Sequence, residues 1–165
     1  MDTLKIYIAS PLGFSEAGRV FYYDTLVPML KMAGFTVIDP WKLTDEAMLQ
    51  KVIKMPYGHD KRVAWRLLNY VIGENNATGI DECDVILAIL DGADVDSGTA
   101  SEIGYGFAKG KRIIGYRGDF RLSADNEGGT VNLQVEYFIK KSGGDIADSL
   151  VTAFKLLKEY DAYKS

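Results

Sequence analysis

The sequence is poor in the residues that build disulfide frameworks and metal centres. It contains one cysteine, Cys83, and one histidine, His59, among 165 residues. A disulfide within the chain is therefore impossible, and a metal site made of cysteine and histidine is not expected. Because Cys83 directly precedes an apolar segment, we interpret it as a small buried hydrophobic residue. We predict neither a metal nor a cofactor.

Long apolar segments and clusters of positive charge are also missing. No apolar segment approaches the ~20 residues of a membrane-spanning helix, and the first residues lack the apolar region of a secretion signal. Lysine and arginine number 19 against 23 acidic residues, which gives a formal net charge of −4 without a basic stripe. We therefore expect a cytoplasmic protein without a nucleic-acid or membrane partner.

The glycine patterns that bind dinucleotides and nucleoside triphosphates are absent as well. The loop after the first apolar segment reads ASPLG at residues 9–13, which is not G-x-G-x-x-G. The pattern G-x-x-x-x-G-K-[ST] does not occur anywhere in the chain. Dinucleotides and triphosphates are therefore not expected as ligands.

Short apolar segments and helical patterns alternate along the chain. Strands are predicted at residues 4–9, 35–40, 84–90, 111–116 and 145–147. Helices are predicted at residues 15–33, 44–55, 60–82, 132–141 and 149–160, with another after the acidic loop 91–98. This alternation predicts one α/β domain over residues 1–165, a flavodoxin/Rossmann-like three-layer sandwich with a doubly wound parallel sheet of about five strands.

Two features are expected to interrupt predicted helices, and one polar stretch is expected to have no regular structure. Pro28 should kink or break the first helix near Val27. Gly73 or Gly79 should break or weaken the long helix over residues 60–82. The polar stretch at 117–129 is predicted to be a mobile surface loop.

The helix after the acidic loop contains the most informative residue, Glu102. A loop at the carboxyl end of a parallel strand is where open α/β sheets bind ligands, and we predict Glu102 in the first turn of the helix. Thr99 to Glu102 fits a capping box, in which the glutamate bonds to the N-cap amide. Alternatively, the helix N-terminus favours the ionised form of Glu102, which a carboxylate nucleophile needs. Asp96 on the same loop would be the second acid of a reaction at a glycosidic carbon.

Three segments carry a resemblance to a known family. DSGTASEIGYG at residues 96–106 resembles the signature of the nucleoside 2-deoxyribosyltransferases, and KIYIASPL at 5–12 resembles the first strand and loop of that family. VNLQVE at 131–136 is similar to a segment near its end, and the three keep their order and spacing across nearly the whole chain. The resemblance implies transfer of a 2-deoxyribosyl group between nucleobases through a covalent deoxyribosyl–Glu102 intermediate, with slow hydrolysis when no acceptor base is present.

The resemblance also implies roles for other residues in the same site. Asp96 would assist proton transfer at the base, and Tyr7 would hold the carboxylate of Glu102. Asn76 would contact the base, at a position where the family often has an acid. Its small-molecule substrates would be 2′-deoxynucleosides and free nucleobases, with Ser10 among the residues that bind them.

A further implication concerns the assembly of the site. Asn132 would reach the deoxyribose 5′-hydroxyl in the site of a neighbouring subunit. This implies a homo-oligomer built from dimers, of which a hexamer is one form. Gly98, in the signature segment, is also expected to contact the substrate.

The candidate residues have structural interpretations too. Tyr7 fits a core tyrosine, Asn76 a buried and satisfied amide, Asp96 a turn residue, and Asn132 a helix N-cap.

Two other functions remain open. One is a 2′-deoxynucleoside 5′-monophosphate N-glycosidase, and such enzymes carry serine in place of Asp96 to hold the phosphate. The other is a non-catalytic nucleoside-binding module. Because a carboxylate at position 96 repels phosphate, we favour the transferase.

Overall fold

The strands of the protein form one parallel sheet in the computed structural model, which describes residues 3–164. They are β1 (Lys5–Ala9), β2 (Thr36–Ile38), β3 (Val85–Ile89), β4 (Arg112–Tyr116) and β5 (Ile146–Ala147). Their order is β2-β1-β3-β4-β5, and all neighbours are parallel. The predicted fold class is confirmed. In this doubly wound order, ligands bind where the strand order reverses, between β1 and β3.

Helices cover both faces of the sheet. They are α1 (Glu16–Val20), α2 (Val27–Met32), α3 (Glu46–Ile53), α4 (His59–Glu82), α5 (Ser97–Ala108), α6 (Leu133–Lys141) and α7 (Leu150–Lys164). Side chains alternate along each strand, so Ile6 and Leu87 pack with α2 and α7, whereas Tyr7 and Ile86 pack with α4, α5 and α6. All of β3 is buried because it lies in the middle of the sheet under both helical layers.

The first helical region contains a π-helical turn instead of a simple kink. This turn, Phe21–Leu26, joins α1 to α2, and Pro28 lies in the first turn of α2. Proline has no N–H and crowds the carbonyl four residues before it. The wider π turn ahead of Pro28 relieves this conflict while the chain stays helical.

The predicted break in the long helix is wrong. Helix α4 runs without interruption over 24 residues. A Cβ at Gly73 would meet nothing within 4 Å, whereas one at Gly79 would lie 2.9 Å from Leu43 Cδ1 and 3.2 Å from Tyr7 Cε2. Gly79 thus lets α4 approach β1 closely, and this packing outweighs the ~1 kcal/mol that glycine costs in a helix.

The segment 117–129 has no helix or strand, but it does not lie wholly on the surface. Arg117 is only 5% exposed. Its guanidinium donates from Nη1 to the carbonyl of Leu90 at 2.5 Å, and from Nη2 to the carbonyls of Gly92 at 3.2 Å and Arg121 at 2.7 Å. The prediction of a surface loop is therefore wrong for Arg117, which ties the segment to the loop between β3 and α5.

Within the described residues, no helix has both the length and the apolar character that crossing a bilayer requires.

Candidate active site

A cavity of about 490 Å³ lies at the carboxyl ends of β1 and β3, where the strand order reverses. This volume is within the usual range for sites that bind small molecules. Its walls come from the loop after β1, the turn after β2, one face of α4 and the start of α5. The lining residues are Ser10, Phe14, Pro40, Trp41, Trp65, Asn69, Ile72, Asn76, Asp96, Gly98, Thr99 and Glu102.

Asp96, not Thr99, caps helix α5. The Asp96 Oδ2 atom accepts a hydrogen bond from the Thr99 amide at 3.0 Å, and the helix begins at Ser97. Thr99 lies inside the helix and is 1% exposed. The capping-box interpretation is therefore wrong, and Glu102 lies in the second turn of α5 instead of the first. The field of the helix N-terminus weakens beyond the first turn, so it is not the main influence on Glu102.

The carboxylate of Glu102 is held by a tyrosine hydroxyl. Tyr7 Oη donates to Glu102 Oε1 at 2.7 Å, and the tyrosine side chain is fully buried in the core between β1 and α4. Burial and the neighbouring carboxylate raise the pKa of Tyr7 far above its ordinary value. The phenol therefore stays protonated and keeps donating to Glu102.

Burial controls the protonation of Glu102. It raises the pKa of Glu102 to about 7, against the lowering effect of the Tyr7 hydrogen bond, and the charge of Asp96 raises it further. Burial therefore outweighs the effect of the helix N-terminus, which is expected to favour the ionised form of Glu102. Desolvation in the cavity dominates because it penalises the charged carboxylate.

This pKa predicts the pH dependence of any reaction in which Glu102 attacks as a carboxylate. Below pH 7 the reactive ionised fraction falls about tenfold per pH unit, and kcat/KM should fall with it. Tyr7→Phe removes the hydrogen bond that lowers the pKa of Glu102, so the inflection should move to higher pH. Initial rates from pH 5 to 9 measure both effects. A profile that is flat across this range would contradict the assignment.

One face of α4 supplies four lining residues, of which sequence reasoning found only Asn76. Trp65, Asn69, Ile72 and Asn76 follow one another at spacings of four, three and four residues, so they share a helix face. That spacing was the signal that could have revealed the other three. The amide oxygen of Asn76 is buried without a hydrogen-bond partner, so the interpretation of Asn76 as a satisfied buried amide is wrong.

Two aromatic residues in loops were also missed. Phe14 and Trp41 meet edge to face, with ring centroids 4.8 Å apart. Trp41 lies in a 3₁₀ turn, Pro40–Lys42, that follows β2. No periodic pattern marks such positions, and the only available signal was an aromatic residue directly after the breaker Asp39-Pro40.

Ser10 and Gly98, which are predicted to bind the substrate, both line the cavity. Ser10 is buried and its hydroxyl accepts from the amide of Leu12 at 3.0 Å, which shapes the loop after β1. A Cβ at Gly98 would lie 3.1 Å from Asp96 Oδ2. Glycine at this position therefore leaves room for the capping carboxylate of Asp96.

Asn132 does not line the cavity of its own chain. It is the N-cap of α6, where its Oδ1 accepts from the amides of Gln134 at 3.0 Å and Val135 at 3.4 Å. Within one chain, the interpretation of Asn132 as a helix N-cap is therefore confirmed. Among residues 3–164, no group of three or more histidine, cysteine, aspartate and glutamate side chains is placed to hold a metal ion.

The fold and the cavity together indicate a class of protein. A buried carboxyl group that shares a cavity with a second acid suits enzymes that act at glycosidic carbons, and aromatic walls suit a planar ring. The family model for nucleoside 2-deoxyribosyltransferase matches residues 6–134. The chain therefore belongs to the nucleoside 2-deoxyribosyltransferase family.

Solved structures with the same fold cover nearly the whole chain. A conserved protein from Enterococcus faecalis V583 is 25% identical, with a TM-score of 0.67, over 96% of this chain and 99% of the other. A 2-desoxiribosyltransferase from Leishmania mexicana is 26% identical, with a TM-score of 0.63, over 92% of this chain and 95% of the other. A CMP N-glycosidase from Clostridium botulinum, 21% identical with a TM-score of 0.51 over 96% and 98% of the two chains, shares the fold. No curated protein matches the chain significantly.

Proposed function

We propose that this protein transfers the 2-deoxyribosyl group of a 2′-deoxynucleoside from one nucleobase to another. The observation that carries the proposal is the Glu102 carboxylate, held by Tyr7 at 2.7 Å in the cavity that also contains Asp96. Hydrogen bonding through Oε1 leaves Oε2 of Glu102 for attack on the sugar. Family membership supports the same chemistry.

The proposed reaction has two displacement steps. Glu102 Oε2 bonds to C1′ as the bond from C1′ to the base nitrogen breaks, and the departing base nitrogen takes a proton from water through Asp96. A ring nitrogen of the second base then attacks C1′, its proton passes back through Asp96, and the ester to Glu102 breaks. Two inversions give net retention at C1′. When no base is present, water attacks the ester slowly and yields free deoxyribose.

The charges around the cavity favour nucleosides over their monophosphates. Among the described residues, its lining contains two carboxylates, Asp96 and Glu102, and no lysine or arginine. A phosphate near Asp96 would meet repulsion without a compensating cation. The N-glycosidase from Clostridium botulinum is named for a nucleoside monophosphate, so the monophosphate is the substrate against which the proposal is tested.

A competition assay tests the proposed substrate. Deoxyadenosine and deoxyadenosine 5′-monophosphate are offered together with free cytosine, and the products are separated by chromatography. We expect deoxycytidine from the nucleoside, preferred by roughly tenfold or more, the ratio that about 1.4 kcal/mol produces. Asp96→Ser keeps a good N-cap but removes the charge, so it should reduce this preference. Faster consumption of the monophosphate by the wild type would refute the transferase assignment.

We also propose that Asn132 completes the site of a neighbouring copy in a homo-oligomer. It lies outside the cavity of its own chain, and next to it Leu133 and Tyr137 are 58% and 51% exposed. Apolar and aromatic side chains of this kind are enriched in the cores of interfaces. Packing between copies would thus place the side chain of Asn132 next to the deoxyribose in the neighbouring site.

Mixing two inactive variants tests this proposal. Glu102→Gln and Asn132→Asp are each assayed alone and then after being dissociated and reassociated together. If a site takes Glu102 from one copy and Asn132 from another, some mixed sites contain both native residues, and exchange activity should return. A fully active monomer in sedimentation at the assay concentration would contradict a shared site.

A further inference from the structure

Arg117 is a buried cation whose partners are main-chain carbonyls. Its side chain is 5% exposed, and among residues 3–164 its guanidinium forms no ion pair with a carboxylate. Arginine is almost never fully buried unless it is paired, and a buried charge is costly unless hydrogen bonds satisfy it. The position of this arginine, directly after β4, therefore requires an explanation.

Two of the carbonyls belong to the loop that leads from β3 to Asp96. Leu90 accepts from Arg117 Nη1 at 2.5 Å, and Gly92 accepts from Nη2 at 3.2 Å. The main-chain amide of Arg117 donates to the carbonyl of Ala147 in β5 at 2.8 Å, so the sheet holds the arginine from the other side. Arg117 therefore fixes the start of the Asp96 loop relative to the sheet.

Two aspartates reinforce the same connection. The amide of Asp119 donates to Asp91 Oδ1 at 2.9 Å, and the amide of Gly92 donates to Asp119 Oδ2 at 3.3 Å. Both polar main-chain groups of Gly92 are thus bound by the segment that follows β4. Gly92 has a φ of +131°, a conformation that favours glycine. The first part of the loop therefore has one defined shape.

The other end of the loop is fixed by the core and by α5. Val95 packs into the core, and the next residue, Asp96, caps the helix. The chain between Gly92 and Asp96 is short, so a change at Gly92 is transmitted to Asp96. Glu102 is held separately, by its hydrogen bond from Tyr7. The loop therefore determines where Asp96 lies relative to Glu102.

We propose that Arg117 is a positioning residue that sets the distance between the carboxyl groups of Asp96 and Glu102, an inference that rests on the proposed function. Arg117 lies outside the cavity lining and acts through the loop that it holds. With the loop in place, the departing base nitrogen takes a proton from water through Asp96 while Glu102 bonds to C1′. Without the guanidinium, the carbonyls of Leu90 and Gly92 lose their donor, the loop shifts, and protonation of the base is impaired.

Two leaving groups test the proposal, because only one of them needs Asp96. Adenine takes a proton as it leaves deoxyadenosine, whereas the base of 7-methyl-2′-deoxyguanosine already carries a positive charge and leaves as a neutral molecule. Arg117→Lys keeps the charge but loses the planar fork of donors. Its kcat/KM for deoxyadenosine should fall roughly tenfold or more, and that for the methylated substrate less than about threefold, since proton transfer is typically worth 10²–10⁴-fold. Equal losses on both substrates would overturn the proposal.

Hydrogen exchange of the Thr99 amide measures the position of Asp96 without any turnover. This amide donates to Asp96 Oδ2 at 3.0 Å, so its exchange rate reports on that contact. Arg117→Lys should speed the exchange roughly tenfold by making local opening easier. Gly92→Ala should have the same effect without altering the buried charge, because alanine is strained at a φ of +131° and its Cβ would lie 3.0 Å from the carbonyl of Asp94. Unchanged exchange in these variants would overturn the proposal.

Arg121→Lys is the matched control. Arg121 has the same side chain in the same segment, but it is 58% exposed and its guanidinium pairs with Asp119 at the surface. An exposed ion pair contributes little, so both rates and the exchange of the Thr99 amide should stay at their wild-type values. Losses equal to those of Arg117→Lys would show that the buried guanidinium has no special role.

A base-exchange assay on the wild type separates this inference from the proposed function. If the wild type exchanges no bases, the proposed function fails, and exchange of the Thr99 amide still decides whether Arg117 positions Asp96. If the wild type exchanges bases but Arg117→Lys slows both leaving groups equally, only the role of Arg117 is overturned. Thermal unfolding of each variant excludes loss of folding as the cause.

Discussion

Replacing Glu102 with glutamine should abolish both base exchange and hydrolysis. Glutamine retains an oxygen that accepts from Tyr7 Oη, so the local geometry should persist, but a neutral amide does not form the ester to C1′. Loss of a nucleophile should lower kcat by on the order of 10⁴-fold or more. Chromatography of deoxyadenosine incubated with cytosine measures exchange and hydrolysis together. Exchange within tenfold of the wild-type rate would exclude Glu102 as the nucleophile.

The same substitution, which should abolish activity, should increase the stability of the folded protein at pH 8. The pKa of Glu102 in the folded protein, about 7, is above its ordinary value of 4.5. The folded state therefore binds the proton more tightly than the unfolded state, and stability falls as pH rises from about 4.5 through 7. Glu102→Gln removes this loss, so the variant should unfold at a higher denaturant concentration than the wild type at pH 8 and at a similar one at pH 4. If the variant is less stable than the wild type at pH 8, Glu102 has a structural role instead.

Asp96→Asn should separate the capping role of Asp96 from its chemical one. Asparagine is as good an N-cap as aspartate, so the hydrogen bond from Thr99 should persist and stability should barely change. The variant lacks the acid that assists the leaving base, and such assistance is typically worth 10²–10⁴-fold. Because the charge of Asp96 raises the pKa of Glu102, the pH inflection should also move to lower pH. Steady-state rates across the same pH range report both effects.

Asp45 provides the matched control for this change. It caps α3, where its Oδ1 accepts from the amides of Ala47 at 2.7 Å and Met48 at 3.1 Å, and it does not line the cavity. Asp45→Asn should therefore leave the exchange rate unchanged. Equal losses in Asp45→Asn and Asp96→Asn would show that the loss at position 96 does not come from proton transfer in the cavity.

The sheet and the approximate position of the site could be predicted from the sequence, because both depend on local patterns. Continuous apolar segments such as residues 84–90 are typical of buried parallel strands. A ligand site after such a strand follows from the topology. The contact between Tyr7 and Glu102 joins residues 95 positions apart, and only the family resemblance connected them.

Other features depend on three-dimensional packing that no local pattern contains. Asp96 and Thr99 are both good N-cap residues. The burial of Thr99 inside α5 shows that Asp96 is the one that caps the start of the helix. The raised pKa of Glu102 follows from burial. Trp41 reaches the cavity from an irregular turn, and Gly79 looks like a helix breaker until its contact with β1 is known.

Mass spectrometry of a trapped intermediate tests the central claim most directly. The wild type is incubated with a 2′-deoxy-2′-fluoro nucleoside, whose fluorine slows both displacement steps by destabilising the oxocarbenium-like transition state, and the protein is then quenched with acid. We predict one sugar adduct per chain, on the peptide that contains Glu102, and its disappearance when free cytosine is added before the quench. Release of the base without an adduct, or an adduct on another residue, would contradict the account.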